Sequence, residues 1–374
     1  VRFSSVILTL LSVALGAQAA DYLVYAGTYS RGDSRGIYVF RFNPETGKLS
    51  GPTLAAETLN PSFLAEHPNH RFLYAVNEGG DGGNKVSAFS IDASTGKLTP
   101  LNAVSSQGSG PCHLAIDATG KWLSVANYNN GTMAVLGINT DGTLAEARQV
   151  EKHEGSSANP QRQKGPHAHC VLFSPDNRFL LLADLGLDKI FVYKFDAASG
   201  AITPNDPPSV SVTPGAGVRH LAFHPSGRIL YSINEMGNTV TAFHYDPAKG
   251  ALEAFQYETT LPEGFKGNTS TAEVAVNRAG TRVYGSNRGN DTIALFAIDS
   301  RRETLSPMDH TSTLGKTPRH FTLDPTGKFL LVANQDSSDI SVFKVHPSSG
   351  QLTPNGPPVK GAAFPVCLLF YTAK

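Results

Sequence analysis

HLAFHPSGRILYSIN, residues His220–Asn234, is the stretch that decides the fold. It reads as an alternating apolar strand, a His-Pro-Ser-Gly turn, and a second apolar strand that stops at an asparagine. The same pattern returns without a gap in HLAIDATGKWLSVAN (His113–Asn127) and HFTLDPTGKFLLVAN (His320–Asn334). Looser copies are FLAEHPNHRFLYAVN (Phe63–Asn77), CVLFSPDNRFLLLAD (Cys170–Asp184) and EVAVNRAGTRVYGSN (Glu273–Asn287). A third strand follows, as in VSAFSID (Val86–Asp92) or ISVFKVH (Ile340–His346), then a Thr/Ser-Gly-x-Leu turn and a fourth strand. Period-two alternation marks strands rather than helices. Four antiparallel strands recurring about every fifty residues are the blades of a β-propeller.

Six complete copies are visible, and the two ends supply a seventh. The chain enters on a second-strand sequence, YLVYAGTY (Tyr22–Tyr29), and finishes on a lone first-strand sequence, PVCLLFY (Pro365–Tyr371). The expectation is therefore an all-β, seven-bladed propeller over residues 21–374, closed by one C-terminal strand joining three N-terminal ones. Ring closure removes exposed sheet edges. Residues 1–20 read differently: Arg2, an apolar run Val6–Leu15 and Ala17-Gln18-Ala19 have the pattern of a secretory signal peptide. Cleavage after Ala19 or Ala20 would release the mature chain on the far side of the inner membrane, in the periplasm. No later run reaches the roughly 20 apolar residues of a membrane helix.

Lys+Arg and Asp+Glu both number 31, which gives no basic excess to attract a phosphate backbone, so nucleic acid is excluded as a partner on electrostatic grounds. Cys112, Cys170 and Cys367 each lie in an apolar strand and read as buried free thiols rather than a disulfide framework. Gly215-Ala216-Gly217 lacks the third glycine of a dinucleotide loop, and no G-x-S-x-G, HExxH or CxxC occurs. His167 and His169, two apart on a strand, would face one way, but no third ligand follows at metal-site spacing. Neither a metal nor any other cofactor is expected. Monomer and dimer both stay open.

In each repeat the start of the first strand and the end of the second fall on one face near the axis. The gapless alignment therefore defines two sets of rim positions. The first is Ser62, Cys112, His169, Arg219, Ala272 and Arg319; the second is Glu78, Tyr128, Leu185, Glu235, Arg288 and Gln335. The apolar positions look alike from blade to blade, whereas these vary in charge and chemistry, which makes the rim the candidate site. The asparagines that end the second strands (Asn77, Asn127, Asn234, Asn287, Asn334) recur in nearly every blade and are expected to bond turn backbone instead.

Five segments carry a resemblance: Y-x-G-T-Y (Tyr25–Tyr29), G-P-H-x-H (Gly165–His169), R-H-L-A-F-H-P with N-E following (Arg219–Pro225, Asn234-Glu235), S-N-R (Ser286–Arg288) and P-R-H-F (Pro318–Phe321). With these the sequence resembles the seven-bladed lactonase family, which includes propeller-type 6-phosphogluconolactonases and 3-carboxy-cis,cis-muconate lactonizing enzymes. The resemblance covers essentially the whole mature chain. It implies a carboxylic ester hydrolase whose active-site His, two Arg and Glu fall on His169 or alternatively His167, Arg219, Arg288 and Glu235. His167, Arg319, Glu78 and Tyr128 are expected to contact the lactone.

Lactone opening needs an activated water and a place for charge on the carbonyl oxygen. Glu235 or His169 would take the water proton, Arg219 and Arg288 would hold the oxyanion, and Arg319 would be a further anion contact. Glu235→Gln is expected to abolish turnover and leave folding intact. Two other readings compete: a cycloisomerase running the reverse chemistry, and a non-catalytic propeller that binds a ligand or protein.

Overall fold

The computed structural model describes residues 21–79 and 82–372. The leader sequence expected in residues 1–20 lies outside them. Every regular element among the described residues is a β-strand, and the strands form seven antiparallel sheets in a ring.

The second to sixth blades each use four consecutive strands. The fifth blade, for example, runs Val218–Phe223, Ile229–Asn234, Thr239–Asp246 and Ala251–Thr259 from the axis outward. In the seventh blade the outer edge is split into Leu352–Pro354 and Val359–Lys360, both paired with Asp339–Val345. The first blade is assembled from both chain ends. Pro365–Tyr371 lies antiparallel to Tyr22–Thr28, with Tyr25 opposite Leu369 and Val24 opposite Phe370. Gly36–Phe42 and Leu49–Glu57 complete it.

Strand sequence follows depth. Second strands such as Phe72–Asn77, Phe179–Asp184 and Phe329–Asn334 are buried at every residue, because a neighbouring blade covers each face. Outer strands such as Leu144–Lys152 alternate between half-buried and exposed, as one-sided strands do. The apolar core is therefore not one central mass but seven wedges between neighbouring blades. Tyr74 and Val76 of the second blade, for instance, pack on Leu123, Val125 and Leu136 of the third. Each fully buried aliphatic or aromatic side chain contributes about 1.5–3 kcal/mol. The terminal asparagines tie each blade to the connection entering it: Asn77 donates to Leu59 O, Asn127 to Ser106 O, Asn287 to Thr260 O and Asn334 to Thr313 O. Asn234 bonds the hydroxyls of Thr239 and Thr241 instead.

A feature of the innermost strands shapes the channel. Register slips by one residue at Cys112, His169, Arg219, Arg319 and Val366, and between Thr271 and Val274. These are β-bulges at equivalent positions in six of the seven blades, and a bulge re-aims side chains. The bulge also breaks the simple two-residue alternation expected for His167 and His169. The next residue of each strand forms a belt around the axis. His113 and His220 rings lie 5.1 Å apart, Phe63 stacks on His113 at 4.0 Å, and Cys170 Sγ is 3.6 Å from His113 Nε2. Glu273 Oε2 accepts from His220 Nδ1 at 2.9 Å and faces His320 Nε2 at 3.4 Å.

Cutting the chain after Phe364 removes the inner strand of the first blade and leaves the Tyr22–Thr28 edge unpaired. The truncated protein is expected to lose its cooperative thermal transition and to aggregate, followed by circular dichroism with light scattering. A wild-type-like melt would rule out that strand as the closure.

Candidate active site

The rim positions converge on a polar cavity of about 410 Å³ at one end of the channel. Seven of the rim positions from the alignment line it: Glu78, Cys112, Tyr128, His169, Glu235, Arg288 and Arg319. Tyr29, Arg162 and Ser270 complete the wall.

Glu235 is the electrostatic centre. Its Oε2 accepts from Arg219 Nε at 3.1 Å and Arg288 Nη2 at 2.9 Å, and its Oε1 from Arg162 Nη2 at 2.8 Å. Burial alone would push this carboxyl up, but the Arg288 and Arg219 charges and the Arg162 hydrogen bond reverse that, holding it well below the usual carboxylate range. Arg288 also donates to Thr271 O at 2.7 Å. Burial pulls its pKa down to about 10, so it is charged at neutral pH.

Arg219 and His167 stand elsewhere than the sequence reading put them. Arg219 is 2% exposed and does not line the cavity. It lies behind Glu235, with Nη1 donating to Ala272 O at 2.6 Å. It fixes the carboxylate and does not meet the substrate space. His167 does not line the cavity either: its Nδ1 bonds Tyr128 O at 2.8 Å, and its ring stacks on Tyr128 at 4.5 Å. It supports the tyrosine from behind. Leu185 of the rim set is fully buried.

His169 is on the wall, 4% exposed, with Nδ1 3.9 Å from Cys112 Sγ and its ring edge-on to Tyr128. Burial first, then Arg219, His220 and Arg319, push its pKa well below the imidazole range, so the ring is neutral at physiological pH. Arg319 differs from the other arginines. The three ion pairs in the cavity all go to Glu235, and none includes Arg319. Its guanidinium lies 5.3 Å from the centre of the Tyr29 ring. Tyr29 Oη donates to the Glu78 carboxylate at 3.0 Å.

Three wall residues, Tyr29, Arg162 and Ser270, were missed. Tyr29 follows the second strand of the first blade and is thus the counterpart of Glu78, Tyr128 and Glu235; extending the alignment to the incomplete blade finds it. Arg162 lies in the connection from Lys152 to Ala168, the longest between blades, and outside the repeat. Gln163 anchors that connection: it is fully buried, with Nε2 donating to Leu185 O at 2.8 Å. Arg162 reaches from it to Tyr128 Oη at 2.9 Å and to Glu235. Among the described residues no group of three or more His, Cys, Asp or Glu is arranged to hold a metal. All three cysteines are free and buried, although Cys112 also lines the cavity.

Residues 23–370 match the family described as "Lactonase, 7-bladed beta-propeller". The chain belongs to this family. Among curated relatives of the lactonase-family propeller is the 6-phosphogluconolactonase of Bacillus subtilis, 36% identical over 93% of this chain and 98% of the relative. Another is the 6-phosphogluconolactonase of Formosa agariphila, 33% identical over 85% of this chain and 90% of the relative. Among solved structures, the periplasmic gluconolactonase of Pseudomonas aeruginosa superposes with a TM-score of 0.88 at 35% identity, covering 94% of this chain and 99% of that one.

The clamp on Glu235 revises the expectation for Glu235→Gln in this lactonase-family protein. The amide leaves the buried Arg219 and Arg288 charges uncompensated, which costs about 3–5 kcal/mol. A carboxyl with a depressed native pKa stabilises the fold above its unfolded pKa, and that contribution fades as pH falls toward the native value. The stability gap between wild type and Glu235→Gln is therefore expected to be constant from pH 6 to 8 and to shrink below about pH 4. Denaturant titrations across pH measure it, and a gap that widens in acid contradicts the clamp.

Proposed function

We propose that this protein is a lactonase that opens a sugar-type lactone by adding water, and that the chain is exported to the periplasm. One observation carries the catalytic reading: a single polar cavity holds a neutral buried imidazole, His169, together with a guanidinium, Arg319, that forms no direct ion pair among the described residues. The named relatives and the gluconolactonase neighbour support the lactone class.

Lactones are activated esters, so water suffices as nucleophile once a base assists it. His169 is the better base of the two candidates. Both Glu235 oxygens already accept from guanidiniums, which lowers their basicity, whereas neutral His169 has Nε2 free of any protein partner among the described residues. His169 takes one water proton as the water oxygen bonds to the carbonyl carbon. The negative charge that develops on the former carbonyl oxygen is held by Arg319, with Arg288 beside it. Collapse breaks the bond to the ring oxygen, which receives the proton from the His169 imidazolium, and the product is the open hydroxy acid. Arg219 acts through Glu235, which in turn orients Arg288 and Arg162.

His169→Gln is expected to lower kcat for D-glucono-δ-lactone about 10²–10⁴-fold, and Arg319→Ala about 10²–10³-fold. Acid release in a pH-stat measures both. Because the imidazole is already neutral, kcat/KM is expected to stay flat between pH 8 and about pH 6 and to fall only in stronger acid. Wild-type rates in either variant would remove that residue from the mechanism, and an inert wild-type protein would remove the lactonase reading.

Export rests on the leader-like residues 1–20 and is in keeping with the periplasmic neighbour. Expression of the full chain in a Gram-negative host is expected to yield periplasmic protein beginning at Ala20 or Asp21. Intact cytoplasmic protein by N-terminal sequencing would overturn it.

A further inference from the structure

The cavity does not end at its own wall. Tyr29, Glu78 and Arg319 also line a second polar recess of about 340 Å³, which continues toward Arg31, Asn129 and Gln335. The boundary the two spaces share includes the Tyr29–Glu78 pair, in which the phenol donates to both carboxylate oxygens at 3.0 and 3.2 Å.

The chemistry of the recess discriminates between ligands. The Glu78 carboxylate has the Tyr29 hydroxyl as its only hydrogen-bonded partner among the described residues, which leaves lone pairs on both oxygens for donors. Gln335 and Asn129 also line the recess, Gln335 with its amide nitrogen committed to Asp336 at 2.9 Å. The lining thus mixes an acceptor, Glu78, with the donors Arg31 and Arg319. A phosphate dianion answers the two guanidiniums but brings no donor and meets the Glu78 charge directly. A neutral ring bearing hydroxyls gives Glu78 its donors and offers its own oxygens to Arg31 and Asn129.

The geometry points to a second subsite in this recess that takes a neutral sugar ring, so that the preferred substrate is the lactone of a disaccharide aldonic acid. This rests on the lactonase reading above: His169 and Arg319 work on the lactone ring, and the attached sugar lies beyond Tyr29 and Glu78. The recess would then select among lactones without taking part in ring opening.

The test compares kcat/KM for D-glucono-δ-lactone, cellobiono-δ-lactone and 6-phospho-D-glucono-δ-lactone by pH-stat, in the wild type and in Gln335→Leu and Asn129→Leu. In the wild type the disaccharide lactone is expected to exceed the monosaccharide about tenfold or more, and each variant to bring that ratio toward one, since a site built to bond hydroxyls discriminates strongly while its acceptors are intact. Melting temperatures confirm that the variants are folded. Monosaccharide hydrolysis with no disaccharide preference overturns the subsite and leaves the lactonase standing. A tenfold preference for the phosphorylated lactone, or a preference that both variants retain, also overturns it. If no lactone is opened, the enzymatic reading falls and the subsite with it.

Discussion

Seven sheets closed into a ring leave seven inner strands standing edge-on to an axis, each with hydrogen-bonding groups that no further strand can pair. That constraint organises the molecule. Unpaired backbone donors inside a protein must find partners, and here side chains of the neighbouring blade provide them. The backbone N–H of Val171 donates to His113 Nδ1 at 3.4 Å, and that of Leu368 to His320 Nδ1 at 3.2 Å. Cys170 Sγ, on the blade after His113, lies 3.6 Å from His113 Nε2. The belt of histidines and thiols is thus the lateral stitching of the channel. Since Nδ1 of His113 and His320 accepts, each carries its proton on Nε2, and burial holds both rings below the usual imidazole pKa.

Above the belt, the bulged residues do the chemical work. In an unbroken strand Arg219 and His220 would point to opposite faces. The bulge lets both turn toward the axis, one to Glu235 and the other to Glu273. One extra residue in a bulged inner strand thereby creates two stacked layers from adjacent positions, a variable layer facing the cavity and a stitching layer beneath it. Arg219 belongs to the first by sequence, yet its burial makes it the floor support of the Glu235 clamp.

The ring, its closing strand and seven cavity residues could be read from the repeat, because gapless copies turn position in the repeat directly into position around the axis. The rest escaped for physical reasons. Arg162 enters from a connection with no counterpart in other blades, and only the anchoring of Gln163 shows where it goes. His113, His220, His320 and Glu273 open their repeats and looked like plain strand residues, since their partners lie on other blades. His167 and Arg219 were placed in the right neighbourhood, but depth along the channel depends on local bulging and side-chain stacking, which a pattern of apolar alternation does not encode.

The first blade has a temporal consequence. Tyr25 pairs with Leu369, so the hydrogen-bond ladder that seals the ring joins segments separated by nearly the whole chain. Contacts of such sequence separation form slowly, because a long loop must close before they contribute. While the polypeptide is being made, Tyr22–Thr28 waits as an unfinished edge until the last strand arrives. Until then its backbone groups on that side have water alone as a partner, and the ring acquires its full rigidity only at the end of synthesis.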